Sequence, residues 1–175
     1  VATAQRYQGP VTLTTTLVVK ARVKVGESWS ALAAPAFQRQ DQESRLRITE
    51  IMYHPPEGER DEFIEISNLG AVPADLSNAY FEGITFRFPQ YTTLAAGATL
   101  TLVSNFKEFR ERYPTTEIAG VFDGKLSDRG ETITLYSAAG QPLTSVTYDD
   151  AGAWPLLADG RGYSVELANP LGDPN

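Results

Sequence analysis

The segment Leu46–Asn68, LRITEIMYHPPEGERDEFIEISN, decides the fold class of this chain. Its residues alternate between apolar and polar on both sides of a loop that holds Pro55, Pro56 and Gly58. Alternation with a period of two, bounded by Pro, Gly and Asn, is typical of strands joined by a turn in an antiparallel sheet. The segment therefore predicts two strands, near 46–53 and 62–68, at the start of an all-β domain.

Short strands are predicted along the rest of the chain, separated by turn residues such as Gly97, Gly130 and Gly140. The further strands are expected near 84–88, 98–103, 131–136, 142–148 and 162–168. One helix is predicted over Phe106–Tyr113, because Asn105 can cap it and Pro114 can end it. Seven short strands with a single helix indicate a β-sandwich.

Residues 9–37 form a separate piece that is also expected to be strand-like. Within Val11–Val25 an apolar face alternates with basic residues, and Gly26 turns the chain so that Trp29–Phe37 can return. The apolar face comprises Leu17, Val19, Ala21, Val23 and Val25. The polar run 38–45, QRQDQESR, predicts a linker. We therefore divide the chain into strands at 1–37, a linker at 38–45 and a domain at 46–175.

Composition limits the class of protein. Of the 175 residues, 42% are hydrophobic and 21% charged, which is sufficient for a packed core. No apolar run approaches the roughly 20 residues that span a bilayer, so membrane insertion is not expected. The absence of cysteine excludes disulfides, thiol catalysis and cysteine-ligated zinc. The chain begins at Val1 without an initiator Met or a signal peptide, which suggests a segment of a longer protein.

The charge is distributed unevenly along the chain. The formal net charge is −7, yet residues 1–45 carry six Lys/Arg against three Asp/Glu, and residues 46–175 carry nine against nineteen. An acidic domain repels the phosphate backbone, so nucleic-acid binding is not expected.

Six motifs follow one another from residue 46 to about residue 170. They are ITEIMYHP, DEFIEISN, ADLSNAYF, LAAGATLTLVSN, FDGKLSDRGETITLYSAAGQPLTSVTYDD and WPLLADGRGYSVEL. In this order they resemble the lamin tail domain family, which implies an immunoglobulin-like β-sandwich used for attachment or recognition and not for chemistry. Bacterial members occur in large extracellular multidomain proteins beside hydrolases and nucleases, which implies a secreted or cell-surface location.

The upstream piece, GPVTLTTTLVVKARVKVGESWSALAAPAF, resembles the end of the fibronectin-III-like domain that follows catalytic domains in chitobiases. The resemblance implies that residues 1–37 are the last strands of a truncated domain. Their apolar face would then lack its native partners, and such faces find replacements. We expect it to pack against the second domain or across a dimer contact through residues 9–37, formed only because the upstream strands are missing.

The acidic residues of the first hairpin are the candidate metal ligands, because calcium prefers clustered carboxylate oxygens. The candidates are Glu57, Glu59, Asp61 and Glu62. Their spacing fits no EF-hand loop, so we favour a solvated loop and predict neither metal nor cofactor. Glu65 lies inside the strand and is expected to be partly buried, paired with an arginine or with backbone amides.

Candidate ligand-binding residues are the aromatic side chains expected at the surface, Trp29, Tyr53 and Tyr91, whereas Trp154 is expected in the core. Catalysis is not expected. Asp149, Asp150 and Asp159 lie in turn sequences, where aspartate hydrogen-bonds its own backbone, and this favours turns over a glycosidase pair. Ser164 lacks the Gly-x-Ser-x-Gly elbow of hydrolases.

The sequence therefore predicts a non-catalytic accessory module of a larger extracellular bacterial protein, used for adhesion, scaffolding or protein–protein interaction. One alternative is a polysaccharide-binding module beside a hydrolase. The other is a nucleic-acid-associated domain, which the acidic charge disfavours.

Overall fold

A computed structural model describes residues 6–9, 11, 17–34, 36–37 and 45–169. The chain divides into two compact units, Val1–Glu43 and Ser44–Asn175, here called unit 1 and unit 2. Most of the predicted linker, 38–44, lies outside the described residues, as do residues 170–175.

Unit 1 contains four two-residue strands among its described residues: β1 (Leu17–Val18), β2 (Lys24–Val25), β3 (Ser28–Trp29) and β4 (Ala36–Phe37). β1 pairs with β4, and β2 pairs with β3 through a turn at Gly26, whose φ of 59° suits glycine. Val23 and Val25, part of the predicted apolar face, are exposed. The predicted association of this face therefore stays a prediction.

Light scattering can test that association. We expect the full chain either to form dimers or to protect residues 1–40 from proteolysis by packing them on the second domain, and a form lacking residues 1–40 to be monomeric, because the exposed valines gain by leaving water. Equal molar masses for the two forms, together with rapid proteolytic removal of residues 1–40, would contradict the prediction.

Unit 2 holds ten strands and one α-helix in its described residues. They are β5 (Leu46–Met52), β6 (Phe63–Asn68), β7 (Ala74–Asp75), β8 (Tyr80–Glu82), β9 (Thr93–Leu94), β10 (Thr99–Val103), α1 (Phe106–Arg112), β11 (Ile118–Val121), β12 (Gly130–Tyr136), β13 (Pro142–Asp149) and β14 (Val165–Glu166). A 3-10 turn covers Glu59–Asp61.

Two sheets form the body of unit 2. The first has the strand order β11-β10-β6-β5-β14 and is antiparallel except for the parallel pair β10 and β11. The second has the order β13-β12-β8, and β7 pairs with β9. Alternate side chains of both sheets meet in one core that includes Ile64, Ile66, Leu102, Ile133 and Leu135. The predicted immunoglobulin-like β-sandwich with one short helix is confirmed.

The helix α1 packs on the outer face of the first sheet. Phe109 forms a second, smaller core with Met52, Phe63 and Val103. The Asn105 side chain accepts hydrogen bonds from the backbone N–H of Lys107 and Glu108, at 3.0 and 3.1 Å, so the predicted N-cap is confirmed. None of the helices in the described ranges is long and apolar enough to cross a membrane.

Some predicted strands differ from those observed. Residues 84–88 form only isolated bridges at Thr85 and Arg87, and the last predicted strand shrinks to Val165–Glu166. The short strands β7, β8, β9 and β11 were not predicted. Two to four residues contain too few alternations for the sequence to distinguish a strand from a loop. These short strands form because neighbouring strands supply their hydrogen-bond partners.

A β-bulge interrupts the alternation of β5. Ile48 lies opposite Ile66 and Glu50 opposite Glu65, so Thr49 is an extra residue in the ladder. Ile48 and Ile51 consequently both reach the core, while Glu50 lies on the outer face. The alternation read from the sequence is therefore correct on each side of Thr49 but changes phase there.

Candidate functional site

The acidic loop after β5 is neutralised by cations that other segments bring to it. Arg112 of α1 places one guanidinium nitrogen 2.9 Å from Glu57 Oε2 and 3.1 Å from Asp61 Oδ2. Lys125 Nζ lies 2.6 Å from Glu59 Oε1. Each of these candidate metal ligands therefore has a cationic partner within the fold.

Glu62, the fourth candidate, is fully buried. Its Oε2 accepts a hydrogen bond of 2.9 Å from the backbone N–H of Leu126, while Oε1 has no hydrogen-bond partner in the described part of the chain. Among the described residues no group of three or more His, Asp or Glu side chains is arranged to hold a metal ion. Glu57 and Asp61 thus share the cation Arg112, whereas Glu59 and Glu62 each make a contact of their own.

Burial changes the ionisation of two loop carboxyls. It raises the pKa of Asp61, and the nearby Arg112 opposes this shift. It raises the pKa of Glu62 to about 8, although the hydrogen bond from Leu126 favours the carboxylate. Glu59 and Asp128 add to the shift, and Lys125 opposes it. Glu62 is therefore mainly a neutral acid at pH 7.

This ionisation predicts a pH dependence of stability. Between about pH 4.5 and pH 8 the folded state holds a proton on Glu62 that the unfolded state has released, so stability falls as pH rises through that window. Glu62→Gln keeps an acceptor for Leu126 and removes the titration. As pH rises through this window, we expect the free energy of unfolding of the variant to increase relative to that of the native protein, by up to about 1.4 kcal/mol per pH unit.

Urea unfolding of both proteins at half-unit pH steps measures the difference. Glu57→Gln, at an exposed position of the same loop, is the matched control. Its free energy of unfolding plotted against pH should run parallel to that of the native protein. Parallel curves for Glu62→Gln as well would show that the Glu62 carboxyl has no altered pKa in the fold.

A row of glutamates crosses the outer face of the first sheet. Glu50 lies between Glu65 on β6 and Glu166 on β14. The Ser164 hydroxyl donates to Glu50, and the Thr101 hydroxyl donates to Glu65 at 3.3 Å. Burial, followed by the charge of the neighbouring carboxylates, raises the pKa of Glu65, and burial also raises that of Glu50.

The predicted partial burial of Glu65 is confirmed, but the prediction of its hydrogen-bond partners was wrong. In place of the expected arginine or backbone amides, the Glu65 carboxylate accepts a hydrogen bond from the Thr101 hydroxyl and faces the carboxylate of Glu50. The Thr49 bulge is the reason, because it brings Glu50 opposite Glu65.

The three aromatic candidates have different environments. Tyr53 is 1% exposed, and its ring packs on Tyr148 with centroids 4.8 Å apart, so the prediction of a surface residue was wrong. After the bulge Tyr53 shares the inner face with Ile51. Trp29 is 52% exposed, but the Arg22 guanidinium covers one face of its ring at 4.3 Å. Tyr91 is 83% exposed.

Tyr91 combines this exposure with an unusual backbone. Its φ is 68°, a left-handed conformation that is costly for an aromatic residue, and its N–H donates to the Ser77 hydroxyl at 3.0 Å. A ring held in this way contributes nothing to the core, so it is available for contact with a ligand.

No hydrolase arrangement connects the remaining polar candidates. His54 Nδ1 lies 2.7 Å from Asp159 Oδ1, whereas the Ser164 hydroxyl donates to Glu50 and not to the imidazole. Asp149 accepts from the N–H of Ala151 at 3.0 Å, which is the expected role of an aspartate in a turn.

A surface feature that the sequence did not indicate lies between β13 and β14. A cavity of about 110 Å³, open to solvent on one side, is lined by side chains that include Ile51, Val146, Trp154 and Val165. Trp154 was expected in the core; it is half-buried, packs against the core and forms one wall of this cavity.

The segment 150–164 also exposes apolar side chains close to that cavity. Leu156 is 70% exposed, and Leu157 and Tyr163 are more than half exposed. Leu156 follows Trp154 by two residues and Tyr163 precedes Val165 by two, so each lies within about 7 Å of a lining residue along the backbone. We call the cavity with Trp154, Leu156, Leu157 and Tyr163 the Trp154 surface. Only the fold reveals it, because apolar residues in a turn-rich segment carry no periodic signal.

Comparison with known families agrees with this architecture. The family model described as Lamin Tail Domain matches residues 39–150, nearly two thirds of the chain, and leaves residues 9–37 outside the match. No curated protein sequence matches the chain significantly. Unit 2 has the immunoglobulin-like sandwich that the motifs implied, and the family match begins before its first strand. The chain belongs to the lamin tail domain family.

Proposed function

We propose that unit 2 is a non-catalytic module that recognises a protein partner, within a larger secreted or cell-surface bacterial protein, where it serves adhesion or scaffolding. The upstream piece would be the end of a chitobiase-type fibronectin-III-like domain, as its sequence suggests. The family is one of immunoglobulin-like domains, and this is compatible with a module of that kind.

The observation that carries the proposal is the Trp154 surface. In unit 2 six large apolar side chains are exposed among the described residues, and three of them, Leu156, Leu157 and Tyr163, fall within eight consecutive positions. Isolated apolar residues are common at protein surfaces, but a group of them beside an open cavity is typical of an interaction site.

The experiment compares three ligand classes on the full chain. A random-peptide display library, a glycan array and labelled duplex DNA at physiological salt are each presented to the immobilised protein. We expect a family of related peptides to be enriched, with no saturable binding of glycans or DNA. Saturable glycan binding without peptide enrichment would overturn the proposal.

A polysaccharide-binding role is the second candidate, and Tyr91 is the observation that favours it. An exposed ring on a constrained backbone can stack on a sugar with little loss of entropy. We expect Tyr91→Gly to change the free energy of unfolding by less than about 0.5 kcal/mol, since relief of the left-handed conformation offsets the added backbone entropy. If a glycan binds the native protein on the array, Tyr91→Gly should abolish that binding. Glycan binding that survives Tyr91→Gly would remove the support for a polysaccharide-binding function.

A further inference from the structure

We infer that the Trp154 surface binds an extended, basic segment of a partner polypeptide, with an aliphatic side chain of that segment seated in the cavity beside Trp154. The inference rests on the proposed function, because it names the site and the chemistry of the partner for the same protein recognition.

The cavity determines which side chain of the partner can be seated in it, here called the anchor. Its volume of about 110 Å³ and its lining by Ile51, Val146, Trp154 and Val165 suit the side chain of a valine, leucine or isoleucine. Leu156 and Leu157 can then cover the flanks of the anchor, since both are exposed in the free protein. The lining is mostly apolar, and its polar members are Thr49, Glu50 and Glu166. Such a pocket gains more from an aliphatic group than from a hydroxyl-rich sugar, most of whose polar groups would lose water without replacement.

The charge around the surface determines what flanks the anchor. Between positions 149 and 166 the sequence has four carboxylates, Asp149, Asp150, Asp159 and Glu166, and a single cation, Arg161. Even with Asp159 paired with His54, three carboxylates remain against one cation in this segment, and Glu50 and Glu166 line the cavity itself. Lysine or arginine beside the anchor complements this field, whereas a phosphate backbone or a second copy of the same acidic surface is repelled.

Three short synthetic peptides test the two parts of the inference separately. The first alternates lysine with leucine, the second lysine with serine, and the third glutamate with leucine. The protein is the full chain carrying Trp29→Phe, so that Trp154, the other of its two tryptophans, is the only fluorescent indole. We expect the lysine–leucine peptide to shift the emission of Trp154 saturably, with an affinity at least about tenfold above either other peptide. The affinity should fall as salt is raised.

Two variants locate the site. The double variant Leu156→Ser, Leu157→Ser should weaken the lysine–leucine peptide at least about tenfold and leave the fold intact, since both side chains are exposed. Val121→Ser removes another exposed apolar side chain, on β11 at the opposite edge of the first sheet from β14, and should leave the affinity unchanged.

Equal affinity for the double variant and the parent would overturn the inference, as would binding of the glutamate–leucine peptide at the same strength or binding that leaves the Trp154 emission unchanged. If library peptides are enriched but bind the double variant normally, recognition of a protein partner stands and only this site is wrong. If no peptides are enriched at all, the proposed function itself is wrong.

Discussion

Asn68→Ala is expected to cost about 3–5 kcal/mol in the free energy of unfolding. The side chain of Asn68 is fully buried at the end of β6, and all four of its hydrogen bonds reach the backbone. Oδ1 accepts from the N–H of Arg45 at 3.2 Å and of Gly70 at 3.0 Å, and Nδ2 donates to the carbonyls of Val72 at 2.8 Å and Leu94 at 3.0 Å. Removing the amide leaves these groups without their partner, and each unsatisfied buried group costs about 1–3 kcal/mol unless water enters.

Asn105→Ala is the matched control for Asn68. Asn105 also uses its Oδ1 to accept two backbone hydrogen bonds, but at the less buried start of α1, where water can replace it. The control should cost about 1 kcal/mol, as is usual for an N-cap. Urea unfolding of both variants measures the difference, and equal losses would show that the buried network around Asn68 adds nothing to an ordinary cap.

Gly130→Ala is expected to destabilise unit 2 by at least about 3 kcal/mol. Gly130 begins β12 with a φ of 91°, and a Cβ there would overlap the carbonyl oxygen of Tyr148 and lie 2.7 Å from Cα of Asp149. Both neighbours are backbone atoms of β13, so the hairpin must separate to admit a methyl group. The cost combines the left-handed conformation, about 1–2 kcal/mol, with overpacking of similar size.

Gly124 provides a control that separates these two contributions. Its φ is also 91°, but a Cβ there would meet no atom within 4 Å. Gly124→Ala should therefore show only the conformational cost, about 1–2 kcal/mol. Thermal melting of both variants measures the difference, and equal shifts would mean that the approach of β13 to Gly130 is not close enough to matter.

The sequence predicted the long strands and the helix of unit 2, because each contains enough residues for its pattern to be read. Leu46–Met52, Phe63–Asn68, Gly130–Tyr136 and Pro142–Asp149 all lie close to their predicted positions. The helix Phe106–Arg112 has its predicted cap because Asn105 needs only its own local backbone. These features depend on interactions within one segment or between neighbours in the chain.

The candidate site was less predictable, because it depends on contacts between distant segments. Each of Glu57, Glu59 and Asp61 resembles a free carboxylate in the sequence, and only the fold brings Arg112 and Lys125 to them. The Trp154 surface likewise requires β5, β13 and β14 to meet.

By itself, the sequence determined the class of fold, the family and the acidic character of unit 2, since periodicity, motif order and charge are all properties of the chain. The tertiary structure alone decided which face of the sheet each residue of β5 occupies after Thr49. The extra residue at Thr49 moved Tyr53 into the core and set Glu50 beside Glu65. Such a bulge is a property of the pairing of two strands, because it forms only where one strand has one residue more than the strand that it pairs with.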